Sequence, residues 1–312
     1  MPLTLADAAK LSDNQLVKGV IETFVKESVI LDRIPLMPIE GNALAYNEEG
    51  TLPGIAFRAV NGSYTESAGA VNDKSEKLFI MGGDVDVDKF IVKTRGNIND
   101  QRAIQTTMKV KALTYQFQNA FFNGDTDTDP LQFNGLKKRL INNQLITTGT
   151  NGLGIITGGH DFLDQLDNLF AAVKGGKPDA LYMNAFVKAR LRSLARRLAG
   201  WHTYLEIETG KMIDSYNGVP ILDPGENADG SLVLPQTETQ GTSNDCSSIY
   251  AVRFGESEAD AAVTGLTNGG VMVDDLGELE TKPAYRTRIE LYAGLALFGG
   301  KGAARLRGVR LG

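Results

Sequence analysis

The sequence contains little of what usually carries chemistry or crosses a membrane. It has one cysteine, Cys246, two histidines and one tryptophan among 312 residues. A single thiol cannot form an intramolecular disulfide, and two histidines are too few for a histidine-based metal centre. No run of about 18 apolar residues occurs, so we expect no transmembrane helix. The first residues lack the basic start and apolar core of a signal peptide, so we expect synthesis in the cytoplasm.

Basic residues are fewer than acidic residues, 32 Lys and Arg against 38 Asp and Glu. The net charge is −6 and the isoelectric point is about 5.2, which argues against a function based on a strongly basic nucleic-acid-binding surface. Hydrophobic residues make up 42% and charged residues 22% of the chain, as in ordinary folded proteins. The length is sufficient for one large domain or two ordinary domains with their own cores.

The clearest single element is a long helix, predicted from about Ile98 to Phe122. Asn97 can cap it, with Asp100 near the positive end of its dipole. Asn123-Gly124 is expected to end it with a left-handed residue. Apolar side chains recur at helical spacing in two lines, one of Ile104, Met108 and Tyr115 and one of Ala103, Val110, Phe117 and Phe121.

An acidic loop, Asp125 to Asp129, follows the helix, and the chain returns with Phe133-Asn134-Gly135-Leu136. A long helix that ends in FFNGD, followed by a short loop and FNGL, resembles the spine helix of the major capsid proteins of tailed phages. The segments on either side can be compared with the same family.

The segment from about Tyr46 to Lys93 is predicted to form strands with long polar tips. Ile55 to Val60 is expected to be one strand, Asn61-Gly62-Ser63 a turn, and Leu78 to Met81 the return strand. Residues 84–88 alternate strictly between Asp and Val, which is the pattern of a strand with one face exposed to solvent. A polar two-stranded arm is not stable alone, and a neighbouring subunit is the natural support. In the capsid family this position holds the extended loop that crosses the next subunit.

Two further stretches carry the resemblance. A helix begun by Asp161, a strand containing LYMN, a helix from Asn184, and a strand ending in Y-N-G-V-P-I (Tyr216 to Ile221) are similar to the family's axial domain. A strand from Arg286 to Phe298 with the pattern R-x-E-x-x-x-G-L-A, followed by a last strand from Ala303 to Leu311, is similar to its peripheral domain.

The resemblance implies an α+β protein with the tailed-phage major capsid fold, or Johnson fold. The expected regions are an N-terminal arm (1–45) with a helix from Asn14 to about Leu31, an extended hairpin loop (46–93), a spine helix and peripheral domain (94–150), an axial domain (151–275) and return strands (276–312). Residues expected at inter-subunit contacts of the loop are Arg58, Tyr64, Glu66, Lys74 and Lys77. Turns expected to define the fold contain Asn123, Gly124, Gly135, Gly218 and Pro220.

The function implied by the resemblance is structural. Copies of the chain would form hexamers and pentamers of an icosahedral virion shell around double-stranded phage DNA, without sequence-specific binding and without a membrane. Expected partners are a separate scaffolding protein, a portal and a decoration protein. Lys74 and Lys77 lie where some relatives form covalent crosslinks, but no motif identifies a partner. An encapsulin-type compartment with the same fold and protein cargo is the first alternative.

A second alternative is a cytosolic α/β hydrolase centred on Ser257. Gly255-Glu256-Ser257-Glu258-Ala259 resembles the nucleophile elbow G-x-S-x-G. Its last position is Ala rather than Gly, and two glutamates flank the serine. His160 and His202 both precede Ser257, whereas that class places its histidine last.

Four other patterns are weaker. Asp125, Asp127 and Asp129 give half of a calcium loop, but Pro130 stands where Gly is needed. The glycines of 152–159 and 299–302 fit neither a dinucleotide fingerprint nor a P-loop. The helix from Asn184 has a basic face, which is more often solvated or paired than bound to DNA; it carries Lys188, Arg190, Arg192, Arg196 and Arg197. We therefore predict no catalytic, cofactor or metal site.

Overall fold

The computed structural model describes residues 28–95, 101–198, 203–206 and 212–312. Within them are six α-helices: α1 Lys89–Arg95, α2 Gln101–Asn123, α3 Leu136–Arg139, α4 Ile155–Gly158, α5 His160–Ala172 and α6 Ala185–Arg197. The strands are β1 Leu36–Pro38, β2 Ala43–Thr51, β3 Ala70–Lys77, β4 Phe79–Asp88, β5 Leu145–Thr147, β6 Leu153–Gly154, β7 Ala180–Tyr182, β8 Thr203–Glu206, β9 Met212–Tyr216, β10 Val219–Leu222, β11 Glu238–Gln240, β12 Ser243–Val252, β13 Val263–Glu278, β14 Ala284–Leu297 and β15 Ala303–Arg310. Most of the predicted N-terminal helix, and the predicted helix start at Asn97, lie outside the described residues.

The strands form two sheets and one separate ribbon. The first sheet has the order β1-β13-β14-β4. The second sheet has the order β5-β15-β12-β7-β10-β9-β8, with β11 beside β12 and β6 beside β15. Strands β2 and β3 pair only with each other. Both sheets are mixed, with mainly antiparallel pairs and with parallel pairs at β1–β13, β7–β10, β5–β15 and β6–β15. Together with the helices they give the α+β arrangement that the sequence predicts.

The two last long strands belong to different sheets. β14 lies between β13 and β4, whereas β15 lies between β12 and β5. The sequence interpretation placed both in one closing region and put most of β13 in the axial region. The strands with which a segment pairs decide which sheet it joins. Alternation of apolar residues within the segment does not specify those partners.

The long helix α2 lies against the first sheet and buries only one of its two apolar lines. Val110, Phe117 and Phe121 are at most 1% exposed. Ile104 and Met108 on the other line are 41% and 59% exposed. The second apolar line of α2 is therefore left partly exposed near the start of the helix in the described part of the chain.

The helix ends by close backbone contact rather than by a left-handed residue. Asn123 is its last residue, and neither Asn123 nor Gly124 has a positive φ. The backbone N–H of Gly135 donates to the carbonyl of Gly124 at 2.8 Å. A Cβ on Gly124 would lie 2.3 Å from the carbonyl oxygen of Phe133, and one on Gly135 would lie 2.5 Å from that of Ala120. Both glycines are therefore needed because two backbone segments touch.

An aromatic cluster joins α2 to the second sheet. The ring of Phe122 is fully buried and lies 5.4 Å from that of Tyr182 on β7 and 5.1 Å from that of Tyr250 on β12, centroid to centroid. Phe121 makes an edge contact with Phe122 at 5.0 Å. These rings belong to one core that continues to Ile289 on β14. The spine helix and both sheets therefore share a single hydrophobic interior.

The other face of the second sheet is covered by α5 and α6. The buried side chains occur at the predicted helical spacing: Phe162, Leu166, Leu169, Phe170, Val187, Leu191 and Leu194. The Asn184 side chain accepts from the backbone N–H of Val187 at 2.8 Å, which is the predicted cap. The predicted cap at Asp161 is wrong: α5 begins one residue earlier, after Gly159, and Asp161 lies in its first turn.

Complementary charges follow the pairing of β4 with β14. Arg288 stands opposite Asp84 and Arg286 opposite Asp86. Their guanidinium groups donate to these carboxylates at 2.7–3.0 Å. The alternation of Asp84 to Asp88 is thus matched by an Arg-x-Arg alternation about 200 residues later. Hydrogen bonds from Arg288 and Arg286 hold the pKa values of Asp84 and Asp86 below the usual range.

Candidate assembly surfaces

The ribbon of β2 and β3 forms an extended loop that leaves the body of the chain. The strands pair from Ala43 with Lys77 to Thr51 with Ala70. Residues 52–69 at the tip contain no strand, and all residues from 51 to 75 are exposed. The prediction of a strand over Ile55 to Val60 is therefore wrong, and the polar stretch before Lys77 supplies the strand instead. Cross-strand pairing of polar residues outweighs the apolar run, which finds no sheet partner at the tip.

Two side-chain contacts hold the base of this extended loop against the body, and one backbone hydrogen bond closes the ribbon at its base. Arg139 on α3 donates to both carboxylate oxygens of Glu76, with the Nη2–Oε2 distance at 2.7 Å. The ring of Tyr46 packs edge-on against Phe298 at 4.9 Å. The Leu78 N–H donates to the Asn42 carbonyl at 2.9 Å. Burial, together with the nearby Glu76 carboxylate, raises the pKa of Tyr46 to about 12.

The residues expected at inter-subunit contacts all lie along this loop and are exposed. Near the tip, Arg58 lies over the ring of Tyr64 at 5.3 Å and donates to the carbonyl of Gly62 at 3.3 Å. Glu66 follows on the same irregular segment. On β3, Lys74 forms an ion pair with Glu48, and Lys77 ends the strand.

Exposed apolar side chains are the feature that sequence reasoning missed. Ile55, Phe57 and Val60 are 98%, 108% and 91% exposed, and Leu52 is 77% exposed. Large apolar groups in a segment without a core usually mark an interaction surface. The signal was available, because these residues interrupt a polar stretch, but the interpretation as a strand assigned them a partner within the chain.

The remaining predicted turn residues lie in a hairpin of the second sheet. Asn217 and Gly218 have φ values of 49° and 78° and join β9 to β10 as a two-residue turn. This backbone is the mirror-image turn that Asn-Gly favours. Pro220 is buried in β10 opposite Ser215.

The geometry around Ser257 does not support a nucleophile. Ser257 caps a single 3₁₀ turn, Glu258–Asp260, rather than a long helix. Its hydroxyl donates to the Asp260 carboxylate at 3.2 Å, and that same carboxylate accepts from the backbone N–H of Glu256 and of Ser257. His202 lies outside the described residues. An anionic neighbour that is itself held by backbone donors is a poor general base, so the motif is a capped turn.

Two of the three aspartates in the acidic loop are paired with a lysine of α3. Lys138 forms ion pairs with Asp125 and Asp127. A hydrogen bond from the Asp127 N–H, reinforced by Lys138, holds the pKa of Asp125 below its usual range. Among the described residues no group of three or more His, Cys, Asp or Glu side chains is arranged to hold a metal ion.

Two cationic side chains on the basic face of α6 form ion pairs within the chain. Arg192 donates to the Asp214 carboxylate, with its Nε 2.8 Å from Oδ2, and Lys188 lies 3.3 Å from the same oxygen. Asp214 is only 2% exposed. Burial alone would raise the pKa of Asp214, but the two cations together lower it.

No helix in the described part of the chain combines the length and hydropathy that a membrane span requires.

Comparison with known proteins points to one class. The family model of the major capsid protein GP7 matches residues 12–165. The chain is similar to the holo-SrpI encapsulin complex of Synechococcus elongatus PCC 7942, with a TM-score of 0.66 and 18% identity over 90% of this chain and 87% of that chain. It is similar to the capsid of a native GTA particle, with a TM-score of 0.65 and 12% identity over 91% and 90%. A chain from Mycobacterium phage Bobi gives a TM-score of 0.60 and 14% identity over 98% of both chains. No curated protein matches the sequence.

The fold, the projecting loop and these matches together define a capsid-shell protein of the phage, GTA and encapsulin type. The resemblance to tailed-phage major capsid proteins is confirmed by the fold and by the match of residues 12–165 to the family model of the major capsid protein GP7. Proteins of this class have a structural role, which supports a non-enzymatic function rather than the hydrolase alternative.

Proposed function

We propose that copies of this chain assemble into hexamers and pentamers that close an icosahedral virion shell around double-stranded phage DNA. The observation that carries the proposal is the extended loop. A ribbon of two strands with no second layer is marginal in water, and the tip of this loop additionally presents large apolar side chains to solvent, among them Ile55 and Phe57. Both features are explained if the loop lies on another copy.

The attachment of the loop suits this role. The bidentate pair of Arg139 with Glu76 and the contact of Tyr46 with Phe298 orient the base of the loop. Orientation at the base sets the direction in which the tip reaches its neighbour. Head-to-tail contacts of this kind close a ring only when the rotation between copies fits. Weak contacts repeated over many copies then give a stable shell.

Assembly is tested by sedimentation velocity and negative-stain microscopy of the chain, alone and co-expressed with its neighbouring genes. We expect shells, rings or tubes tens of nanometres across. Ile55→Ala should reduce the assembled fraction. Leu131→Ala is the matched control, because Leu131 is 81% exposed but lies outside the loop. A species that remains monomeric or dimeric under both conditions would contradict the proposal.

An encapsulin-type compartment is the second candidate, favoured by the similarity to the SrpI encapsulin complex. The contents of purified particles separate the two. Nuclease-resistant double-stranded DNA inside the shell supports the virion, whereas a protein cargo supports the compartment. The scaffolding protein, portal and decoration protein belong to the virion proposal, and co-purification with the products of neighbouring genes would reveal them. In this proposal the N-terminal arm (1–45) and the axial domain (151–275) supply further inter-subunit contacts.

A further inference from the structure

The tip of the extended loop carries a dipeptide with its own reactivity. In an Asn-Gly pair, the backbone nitrogen of the glycine can attack the side-chain carbonyl carbon of the asparagine, because glycine has no Cβ to hinder the approach. The sequence has six such pairs, beginning at Asn61, Asn123, Asn134, Asn151, Asn217 and Asn268. All six lie within the described residues.

In two of the pairs, hydrogen bonds hold both the asparagine side chain and the N–H of the following glycine. The Asn123 side chain donates to the carbonyl of Val233 at 2.7 Å. The Asn134 side-chain oxygen accepts from the N–H of Thr126 at 3.0 Å. The Gly124 N–H donates to the Ala120 carbonyl in the last turn of α2, and the Gly135 N–H donates to the Gly124 carbonyl. Neither carbonyl carbon can be attacked without breaking this packing.

Three other pairs are exposed to a greater degree but are still anchored. Asn151 accepts from the Thr242 N–H at 3.1 Å, and Asn268 donates to the Gly41 carbonyl at 3.2 Å. Asn217 makes the weakest contact, 3.4 Å to Asp167, but it lies in the turn fixed by β9 and β10. Each of these side chains must leave a partner before it can react.

Asn61 differs from the other five. Its side chain has no hydrogen-bond partner among the described residues, and it lies in the fully exposed stretch from 51 to 75. The Gly62 N–H donates to the Ala59 carbonyl at 3.0 Å. That bond belongs to a local turn at the tip, so breaking it disturbs no core, and such openings are the least costly in a protein.

We propose that Asn61 is the preferred deamidation site of this chain. The Gly62 nitrogen bonds to the Asn61 Cγ, and the side-chain nitrogen leaves as ammonia together with the Gly62 proton. Water then opens the resulting cyclic imide at either carbonyl and yields aspartate or isoaspartate. The new carboxylate lies beside Arg58, whose guanidinium donates to the Gly62 carbonyl. The reaction changes the charge at the surface that, on the function proposed above, contacts a neighbouring copy.

The site is tested by incubating the purified full-length chain in mildly alkaline buffer and mapping its tryptic fragments by mass spectrometry. Cleavage after Arg58 and Lys74 gives a fragment, 59–74, that also contains Asn72 as an internal control. We expect conversion at Asn61 at least about tenfold faster than at the other five pairs. Asn61→Gln, which lengthens the side chain and disfavours the five-membered ring, should abolish the conversion in this fragment. Conversion at Asn217 or Asn268 as fast as at Asn61 would overturn the assignment.

A second arm connects the site to assembly. In purified shells, we expect the neighbouring copy to cover the tip and slow conversion at Asn61 about tenfold relative to the free chain. Equal rates in shells and free chain would show that the tip is uncovered, which refutes the assembly link while leaving the shell itself established. Failure to form any shell would instead refute the proposed function, and the reactivity of Asn61 in the free chain would still be decided by the first arm.

Discussion

Replacement of Phe122 by alanine tests the claim that one core joins the spine helix to the second sheet. The Phe122 side chain is fully buried, with three aromatic rings 5.0–5.4 Å from it. Phe→Ala substitutions in cores cost about 3–5 kcal/mol, and each aromatic pair adds about 0.5–1.5 kcal/mol beyond its buried area. These terms overlap, so we expect a loss of about 4 kcal/mol in the free energy of unfolding.

The measurement is urea unfolding of the unassembled chain, followed by circular dichroism. A loss of this size is a large part of the roughly 5–15 kcal/mol typical of a folded protein, so the midpoint should fall clearly. Phe57→Ala is the matched control, since it removes the same ring from a position that is 108% exposed. It should change the free energy of unfolding by less than about 0.5 kcal/mol. A loss below about 1 kcal/mol for Phe122→Ala, or equal losses for both variants, would refute the shared core.

Three further outcomes follow from contacts elsewhere in the chain. Gly124→Ala places a Cβ 2.3 Å from a backbone carbonyl oxygen and should lower the free energy of unfolding in urea by about 1–3 kcal/mol. Gly54→Ala is the control, because the nearest atom to its Cβ is 3.6 Å away, and its loss should be much smaller. Equal losses for the two variants would contradict the close backbone approach at Gly124. Glu76→Gln weakens the bidentate pair with Arg139 and should cost about 1–3 kcal/mol, seen as faster limited proteolysis at the loop base; an unchanged cleavage rate would show that the pair does not anchor the loop. The pKa of Asp84 is lowered in the folded chain by a hydrogen bond from its arginine partner, so its contribution to stability is present above about pH 4, near the unfolded-state pKa, and is lost as the pH falls through the folded-state value. The urea midpoint should therefore fall less steeply with acid in Asp84→Asn than in the unchanged chain, and parallel curves would rule this contribution out.

Local sequence signals predicted several elements closely. The apolar spacing of α5 and α6 gave the side chains that are buried, and Asn184 caps α6 as expected. These elements depend on neighbours within a few residues, and such interactions are readable from a short stretch of sequence. The stretch from Tyr216 to Ile221, described as the end of one strand, is instead divided by a two-residue turn at Asn217-Gly218.

One error is local: Asp161 was expected to cap α5, but Gly159 precedes the helix. The other errors concern partners farther along the chain. The end of α2 was expected to need a left-handed residue, whereas the glycines at 124 and 135 serve a contact between two backbone segments. The apolar run from Ile55 to Val60 was interpreted as a strand, although no strand of the described chain pairs with it.

The candidate assembly surface was predicted in position but not in composition. The sequence placed a projecting loop before the spine helix, because its polar strands could not be stable alone. The exposed Ile55 and Phe57 at its tip, and the anchoring pair of Arg139 with Glu76, became visible only in the fold. The two partners of that pair are 63 residues apart, and no local pattern connects them.

The class of protein was predicted from the resemblance of short sequence motifs to those of tailed-phage major capsid proteins. The apolar faces of α5 and α6 were predicted from periodicity and capping, which act over a few residues. Tertiary structure decided which strands pair, which sheet receives β13 and β15, and which apolar side chains stay uncovered. Pairing depends on contacts between distant segments, such as Asp84 with Arg288. The free energy of these contacts exists only once the chain has brought the segments together.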